Sequence, residues 1–188
     1  MIDIAENLFK PLILIAEDDD ITRAIAVKTF ENLGYRVITA SDGQQAIDIC
    51  YAERPQVILM DGSMPGIDGF GACQQIKKAI DESIRNIPII IITALESDEA
   101  IDKAFSAGAE DYITKPVNWH ILEHRLDVLI KKVQAEKSLR QSEERFHTIF
   151  NEAPLGLAVI DSLTGRIYDV NPAYMRIVGR TAEELKTI

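Results

Sequence analysis

Five short apolar runs alternate with amphipathic stretches in the first part of the chain, and this alternation restricts the possible folds more than any other feature. The runs cover residues 12–16, 36–39, 57–60, 87–93 and 111–113. Each is followed by a stretch with helical periodicity. Strands that are apolar throughout are buried on both faces, as in a parallel sheet covered by helices. The sequence therefore predicts an α/β fold with five parallel strands.

Polar capping residues and glycines mark the helices between these runs. Asp20 is predicted to cap the first helix, and Ser41 or Asp42 to start the second. Gly34 and Gly108 follow helical segments, where glycine accepts the backbone angles that end a helix. The pattern predicts five successive βα units.

Charge divides the chain into three segments. Residues 1–118 carry 20 acidic and 10 basic side chains, whereas residues 119–150 and 151–188 are nearly neutral. We predict a core domain, a helical linker and an incomplete further domain over these three ranges. The net charge of −10 argues against a nucleic-acid-binding surface.

Neither cysteine has a spacing typical of a disulfide framework or a zinc site. Cys50 and Cys73 fall in predicted helices, without a CxxC motif or a Cys/His cluster. The most apolar run, residues 87–95, is far shorter than the ~20 residues that cross a bilayer. We therefore expect a cytoplasmic protein with no membrane partner.

Residues 119–150 contain no glycine or proline and carry apolar side chains with coiled-coil spacing. The steps of four, three and four residues are made by Leu122, Leu126, Leu129 and Val133. We predict a helix that extends beyond the sheet and joins two chains through these residues, with a change of phase near Glu136. The alternative is an ordinary last helix packed on the sheet, which accounts only for residues 117–130.

Polar and charged side chains stand at the ends of the predicted strands. Glu17 and Asp18 follow the first strand, Asp61 the third and Lys115 the fifth, and Thr93 ends the fourth. The carboxyl ends of parallel strands share one edge of a sheet, so these side chains are expected to meet in one crevice. Three carboxylates at that distance repel one another unless a cation such as Mg²⁺, which prefers oxygen ligands, lies between them. The sequence thus predicts a magnesium site.

The same residues fit phosphoryl transfer to a carboxylate. With the metal bound, Asp61 can attack a phosphoryl donor and form an acyl phosphate. The metal, the Lys115 ammonium and the Thr93 hydroxyl would each hold one phosphoryl oxygen. A Rossmann dinucleotide site is disfavoured, because no GxGxxG follows the first strand.

Four ordered motifs give this part of the chain a family resemblance. They are ILIAEDDDITR, VILMDGSMPGIDGF, IIIITA and DYITKPV. With them, residues 11–130 resemble a response-regulator receiver domain of two-component signalling. The resemblance implies a flavodoxin-like (βα)5 fold, a doubly wound parallel sheet with strand order 2-1-3-4-5.

The resemblance also implies how the acidic residues are used. Asp61 would be the phosphoacceptor. Asp18 and Asp61 would bind Mg²⁺ directly, together with the backbone carbonyl of Ser63. Glu17 would assist through a water molecule.

Further positions match the family's phosphoryl-binding and switch residues. Thr93 and Lys115 would bind the phosphoryl group, and Tyr112 would be the aromatic residue whose ring moves inward when Thr93 is drawn to the phosphate. The Lys115–Pro116 peptide bond would be cis, as its turn position permits.

The last part of the chain resembles the opening third of a PAS domain. The resemblance rests on SEERFHTIFNEAPLGLAVID and GRIYDVNPAYMRIVGRTAEEL. Residues 157–161 and 166–170 are predicted strands joined by a turn at Gly165, with helices starting near Pro172 and Thr181. The later strands of a PAS sheet are missing, so we assign no haem or flavin and expect this α+β segment to begin a larger domain.

We therefore predict a phosphoacceptor receiver that is not itself an enzyme. A histidine kinase or phosphotransfer protein would phosphorylate Asp61. A homodimer, formed through a receiver face and the long helix, would then rearrange to control a C-terminal output such as cyclic-di-GMP synthesis or turnover.

Three alternatives stay open. The first is that the chain is the receiver of a hybrid sensor histidine kinase. A haloacid-dehalogenase phosphatase is weaker, because that class has a second Asp two positions after the first, where Ser63 stands here. A dimerisation module with an unused receiver is disfavoured by the complete acidic site.

Overall fold

The computed structural model describes residues 10–94 and 98–186, so the first nine residues of the predicted core domain lie outside the described part. The chain divides into two compact units, Met1–Val133 and Gln134–Ile188. One long helix begins in the first unit and ends in the second.

The first unit alternates strands and helices, as the apolar runs predict. Its strands are β1 (Leu12–Ala16), β2 (Arg36–Ala40), β3 (Val57–Asp61), β4 (Ile89–Thr93) and β5 (Asp111–Thr114). Its helices are α1 (Asp20–Asn32), α2 (Gly43–Glu53), α3 (Gly69–Lys77), α4 (Glu82–Arg85), α5 (Asp98–Ser106) and α6 (Trp119–Glu152), the last of which continues into the second unit. The short α4 is an addition to the predicted elements.

The five strands of this unit form a parallel sheet in the order β2-β1-β3-β4-β5. This confirms the predicted flavodoxin-like arrangement. Side chains alternate along each strand, so Ile13 and Ile15 join one apolar core and Leu14 joins the other. Helices α1 and α6 cover one face of the sheet, and α2 and α3 cover the other. Burial on both faces explains why the central strands are apolar throughout.

Two element ends differ from the prediction. Strand β4 begins at Ile89, two residues after the predicted start, because Pro88 has no N–H to donate to the sheet. The Pro88 carbonyl still accepts a hydrogen bond from the N–H of Ile58 at 2.9 Å. The cap of α1 is Asp19 and not Asp20. The Asp19 carboxylate accepts a hydrogen bond from the N–H of Thr22 at 2.7 Å.

The first turns of α6 correct the predicted dimer seam. Leu122 and Leu126 are fully buried at 0% exposure and pack with Ile130 in the core of their own chain. A side chain buried in this way is not available to a second chain, so the assignment of these two residues to the seam is wrong. An apolar helical stripe serves equally to cover a sheet. Leu129 and Val133 are half-buried, and their contact with a partner stays a prediction.

The second unit contains a small antiparallel sheet of β6 (Ala158–Ile160) and β7 (Ile167–Val170), followed by α7 (Pro172–Val178) and α8 (Ala182–Lys186). Gly165 lies in the turn between the strands with φ +72. The side chain of Asn171 caps α7 by accepting from the N–H of Tyr174. Strands, turn and helices therefore follow the order expected from the sequence.

Candidate functional site

The polar residues predicted from the sequence gather at the carboxyl edge of the parallel sheet. Asp61 is the last residue of β3 and Thr93 the last of β4, while Glu17 directly follows β1 and Lys115 directly follows β5. The register fixes this arrangement, because Asp61 lies beside Ile92 of the neighbouring strand. The parallel topology thus brings together residues that are far apart in the chain.

Lys115 joins two of the carboxylates. Its Nζ lies 2.8 Å from Asp61 Oδ2 and 3.1 Å from Glu17 Oε2. Both acidic side chains are almost fully buried, whereas the lysine is partly exposed. A buried carboxylate without a partner is costly, and the ammonium offsets that cost for both.

The pKa values of both Glu17 and Lys115 are raised in this site. Burial raises the pKa of Glu17, the hydrogen bond from Lys115 opposes the rise, and the charge of Asp61 adds to it. Burial alone would lower the pKa of Lys115. Its hydrogen bonds to Asp61 and Glu17, with their charges, outweigh that effect, and the pKa is raised. Lys115 is therefore a firmly charged cation at neutral pH.

Three carboxylates offer a set of oxygen atoms that fits a metal ion. One oxygen from each of Glu17, Asp18 and Asp61 lies within 4.8 Å of the other two. Asp18 is exposed, which leaves room for water molecules on the open side. Hard oxygen donors with adjoining water are the surroundings that Mg²⁺ prefers.

The loop after β3 lies very close to Asp61. The N–H of Ser63 donates to Asp61 Oδ1 at 3.2 Å, which places this residue beside the carboxylate. A Cβ on Gly69 would lie 1.9 Å from the carbonyl oxygen of Asp61, so only glycine fits there. The sequence analysis did not predict this close approach of Gly69 to Asp61.

Arg23 is a further site residue that the sequence did not reveal. From the first turns of α1, its Nη1 donates to the backbone carbonyl of Glu17 at 2.6 Å and to that of Asp18 at 3.3 Å. It also forms an ion pair with Asp20. The arginine therefore fixes the backbone that carries the acidic pair. A basic residue five positions after Asp18 was the available signal.

Thr93 and Tyr112 lie on the side of the site next to α5. Thr93 is buried at the end of β4. The half-buried ring of Tyr112 packs edge-on against Phe105, with centroids 5.8 Å apart. The Lys115–Pro116 peptide bond is cis, as the resemblance implied.

The fold and this crevice together define the class of protein. A family model for the response regulator receiver domain matches residues 13–127, and the chain belongs to this family. A model for a PAS domain matches residues 144–188. Receiver domains bind Mg²⁺ at an acidic pocket and take phosphoryl groups from histidine kinases or phosphotransfer proteins. A receiver domain is a phosphoacceptor and not by itself a catalytic enzyme.

Three similar proteins illustrate the range of the family. The transcriptional regulatory protein AfsQ1 of Streptomyces coelicolor is 32% identical over 128 residues, which cover 68% of this chain and 55% of that protein. The receiver domain of a sensor histidine kinase from Pseudomonas aeruginosa, solved with a magnesium ion in its active-site cleft, is 32% identical with a TM-score of 0.60, covering 65% of this chain and 98% of that one. The receiver of a modulated diguanylate cyclase from Desulfovibrio desulfuricans is 28% identical with a TM-score of 0.59, covering 68% and 98%.

The chain spans about half the length of the curated relatives it matches. Across residues 10–94 and 98–186, every helix is too short or too polar to span a bilayer.

Proposed function

We propose that Asp61 is the residue at which this receiver accepts a phosphoryl group. The observation that supports this choice is the contact of 2.8 Å between Lys115 Nζ and Asp61 Oδ2. Strand β3 lies between β1 and β4, so Asp61 has the carboxylates of Glu17 and Asp18 on one side and Thr93 on the other. Asp61 is thus the carboxylate placed between the metal-binding oxygens and the groups that bind a phosphoryl oxygen.

The transfer is a displacement at phosphorus. An Asp61 carboxylate oxygen forms a bond to the phosphorus of a phosphohistidine on a histidine kinase or phosphotransfer protein. The bond from phosphorus to the histidine nitrogen breaks, and that nitrogen keeps the electron pair. The Lys115 ammonium and the Thr93 hydroxyl then each donate to a phosphoryl oxygen.

The resemblance to receiver domains implies the metal-binding roles, and the grouping of Glu17, Asp18 and Asp61 supports them. Asp18, Asp61 and the carbonyl of Ser63 would hold Mg²⁺ directly, with Glu17 acting through water while it accepts from Lys115. The bound ion supplies positive charge that lets an anionic carboxylate and an anionic phosphoryl group approach each other.

The proposal is tested with a small phosphodonor such as acetyl phosphate. We expect one phosphoryl group per chain in Mg²⁺, and none after chelation of the metal or in Asp61→Asn. The matched control is Asp42→Asn, because Asp42 caps α2 and asparagine caps a helix equally well. Full labelling of Asp61→Asn, measured by intact-protein mass, would contradict the assignment.

Phosphorylation is proposed to act on a homodimer through Tyr112 and α6. Beyond the buried Leu126, the helix still exposes Leu139, Phe146 and Ile149, and apolar residues at spacings of seven and three suit helix pairing. We expect beryllofluoride, a phosphoryl mimic, to change the oligomeric state or the crosslinking of cysteines placed on α6. Identical sedimentation and crosslinking with and without the mimic would refute this step.

The proposed output is a C-terminal domain that makes or degrades cyclic-di-GMP. The likeness to a receiver named as part of a modulated diguanylate cyclase supports it. The likeness to a receiver of a sensor histidine kinase favours a hybrid kinase as the second candidate. Cells that express the whole gene with Asp61→Asn should show altered cyclic-di-GMP, whereas ATP-dependent autophosphorylation of the gene product would favour the kinase.

A further inference from the structure

A cleft separate from the acidic crevice contains two histidines. It lies between the end of α1 and the first turns of α6 and has a volume of about 390 Å³. Its lining consists of Leu33, Tyr35, His120, Glu123, His124 and Asp127. The four residues from α6 are spaced three, one and three apart, so they share one face of the helix.

The spacing of the histidines suits a metal ion. Imidazoles four residues apart on a helix can bind the same ion, and the segment from His120 to His124 has the HxxEH order found in one class of zinc-binding helices. His120 Nδ1 lies 3.7 Å from Glu123 Oε2. The neighbouring Leu122 is buried in the core, which fixes the rotation of the helix and keeps both histidines on its exposed side.

The charge of the cleft also favours a cation. Burial raises the pKa of Tyr35, and the negative charges of Asp127 and Glu123 add to the rise. Asp127 pairs with Lys131 at 2.6 Å, whereas Glu123 lies 3.7 Å from the Nδ1 of His120.

We propose that His120 and His124 bind a divalent metal ion that prefers nitrogen ligands, such as Zn²⁺, while Glu123 holds a metal-bound water and further water molecules complete the coordination. Mg²⁺ prefers oxygen ligands alone, so this cleft and the acidic crevice select different ions. The inference is independent of phosphoryl transfer at Asp61. Because the ion binds the folded chain, it stabilises the receiver unit by mass action.

The thiols do not compete for the ion in the folded protein. Burial raises the pKa of Cys50 and of Cys73 to about 12, and both side chains lie in the apolar core. The chain has three histidines, and the third, His147, is far along α6 in the second unit. His147 therefore provides a matched control.

The test is titration of the full chain with Zn²⁺ in the presence of excess Mg²⁺. Binding is measured by calorimetry and by the NMR signals of the imidazoles. We expect one ion per chain and joint shifts of His120 and His124. Since loss of an outer-shell partner already weakens metal binding about ten-fold, His120→Asn and His124→Asn should each weaken it at least that much. Glu123→Gln should weaken it less, and His147→Asn not at all.

Trp119 fluorescence, from the single tryptophan of the chain, checks that each variant is folded. Equal Zn²⁺ affinity in the wild type, His120→Asn and His124→Asn would overturn the proposal. Binding that disappears in Asp18→Asn but persists in the histidine variants would also overturn it, because the ion would then occupy the acidic crevice.

Discussion

The two units differ in what surrounds their strands. In the receiver unit, all residues of β1, β3 and β4 are buried, whereas all three residues of β6 in the second unit are exposed. The receiver sheet lies between two apolar cores with helices on both faces. In the small sheet, β7 contacts α8 and its Val170 is buried, but β6 is exposed. Apolar burial therefore contributes more to the first unit than to the second.

In the second unit, a single buried polar residue makes four hydrogen bonds. Asn171 is fully buried, and its Oδ1 accepts from the N–H of Leu157 at 2.9 Å and from that of Tyr174 at 2.8 Å. Its Nδ2 donates to the carbonyls of Phe150 and Leu155, each at 2.9 Å. One amide thus ties the end of α6 to the start of α7. The receiver unit therefore depends mainly on two large apolar cores, whereas the second unit combines a small apolar core with a hydrogen-bonded hub at Asn171.

Removal of a core leucine should have the largest effect. Leu126→Ala leaves a cavity beneath the receiver sheet and is expected to lower the free energy of unfolding by about 3 kcal/mol. Urea unfolding monitored by Trp119, whose ring packs edge-on against Phe30, reports on this unit. Ile160→Ala on the exposed strand β6 is the control; followed by the amide NMR signals of the second unit, its free energy of unfolding should change by no more than about 0.5 kcal/mol. If both variants lowered the free energy of unfolding by the same amount, the contrast between the two units would be wrong.

Removal of the polar hub should have an intermediate effect that is confined to the second unit. Asn171→Ala leaves buried N–H and carbonyl groups without partners, which costs about 2 kcal/mol. Amide exchange at Leu157 and Tyr174 should accelerate, while the Trp119 transition stays unchanged. Asn151→Ala, an exposed change of the same type, should alter neither measurement. A shift of the Trp119 midpoint in Asn171→Ala would show that the two units unfold together.

Replacement of the surface carboxylate of Asp161 should have the smallest effect on stability. The hydrogen bonds from the N–H groups of Thr164 and Leu163, each at 2.8 Å, lower the pKa of Asp161. A lowered pKa stabilises the folded state above the usual value of 3.8, and this contribution is lost as the pH falls through the folded pKa. Asp161→Asn should reduce the loss of second-unit stability between about pH 5 and 3, measured by urea unfolding with amide NMR signals. An unchanged pH dependence in Asp161→Asn would contradict this contribution.

Sequence reasoning worked best where one pattern repeats. Apolar strands predicted the sheet, and residues such as Asp61 and Lys115 at strand ends predicted the crevice, because parallel topology leaves one place for those ends to meet. It failed for the leucines of α6, since the spacing of Leu122 and Leu126 suits a coiled coil and a sheet-covering helix equally. It also missed Arg23, because its position five residues after Asp18 was a weak signal and its hydrogen bonds to the carbonyls of Glu17 and Asp18 depend on how α1 follows β1.

The family resemblance implied the strand order of the sheet. The sequence by itself determined the alternation of strands and helices, the acidic residues and the lysine at the strand ends. These follow from local periodicity and from residue chemistry, both of which are written in the order of the amino acids. The tertiary structure alone decided which face of α6 is buried, which amide holds the second unit and which histidines share a cleft. Those properties depend on distances between residues far apart in the chain, and such distances exist only after the chain has folded.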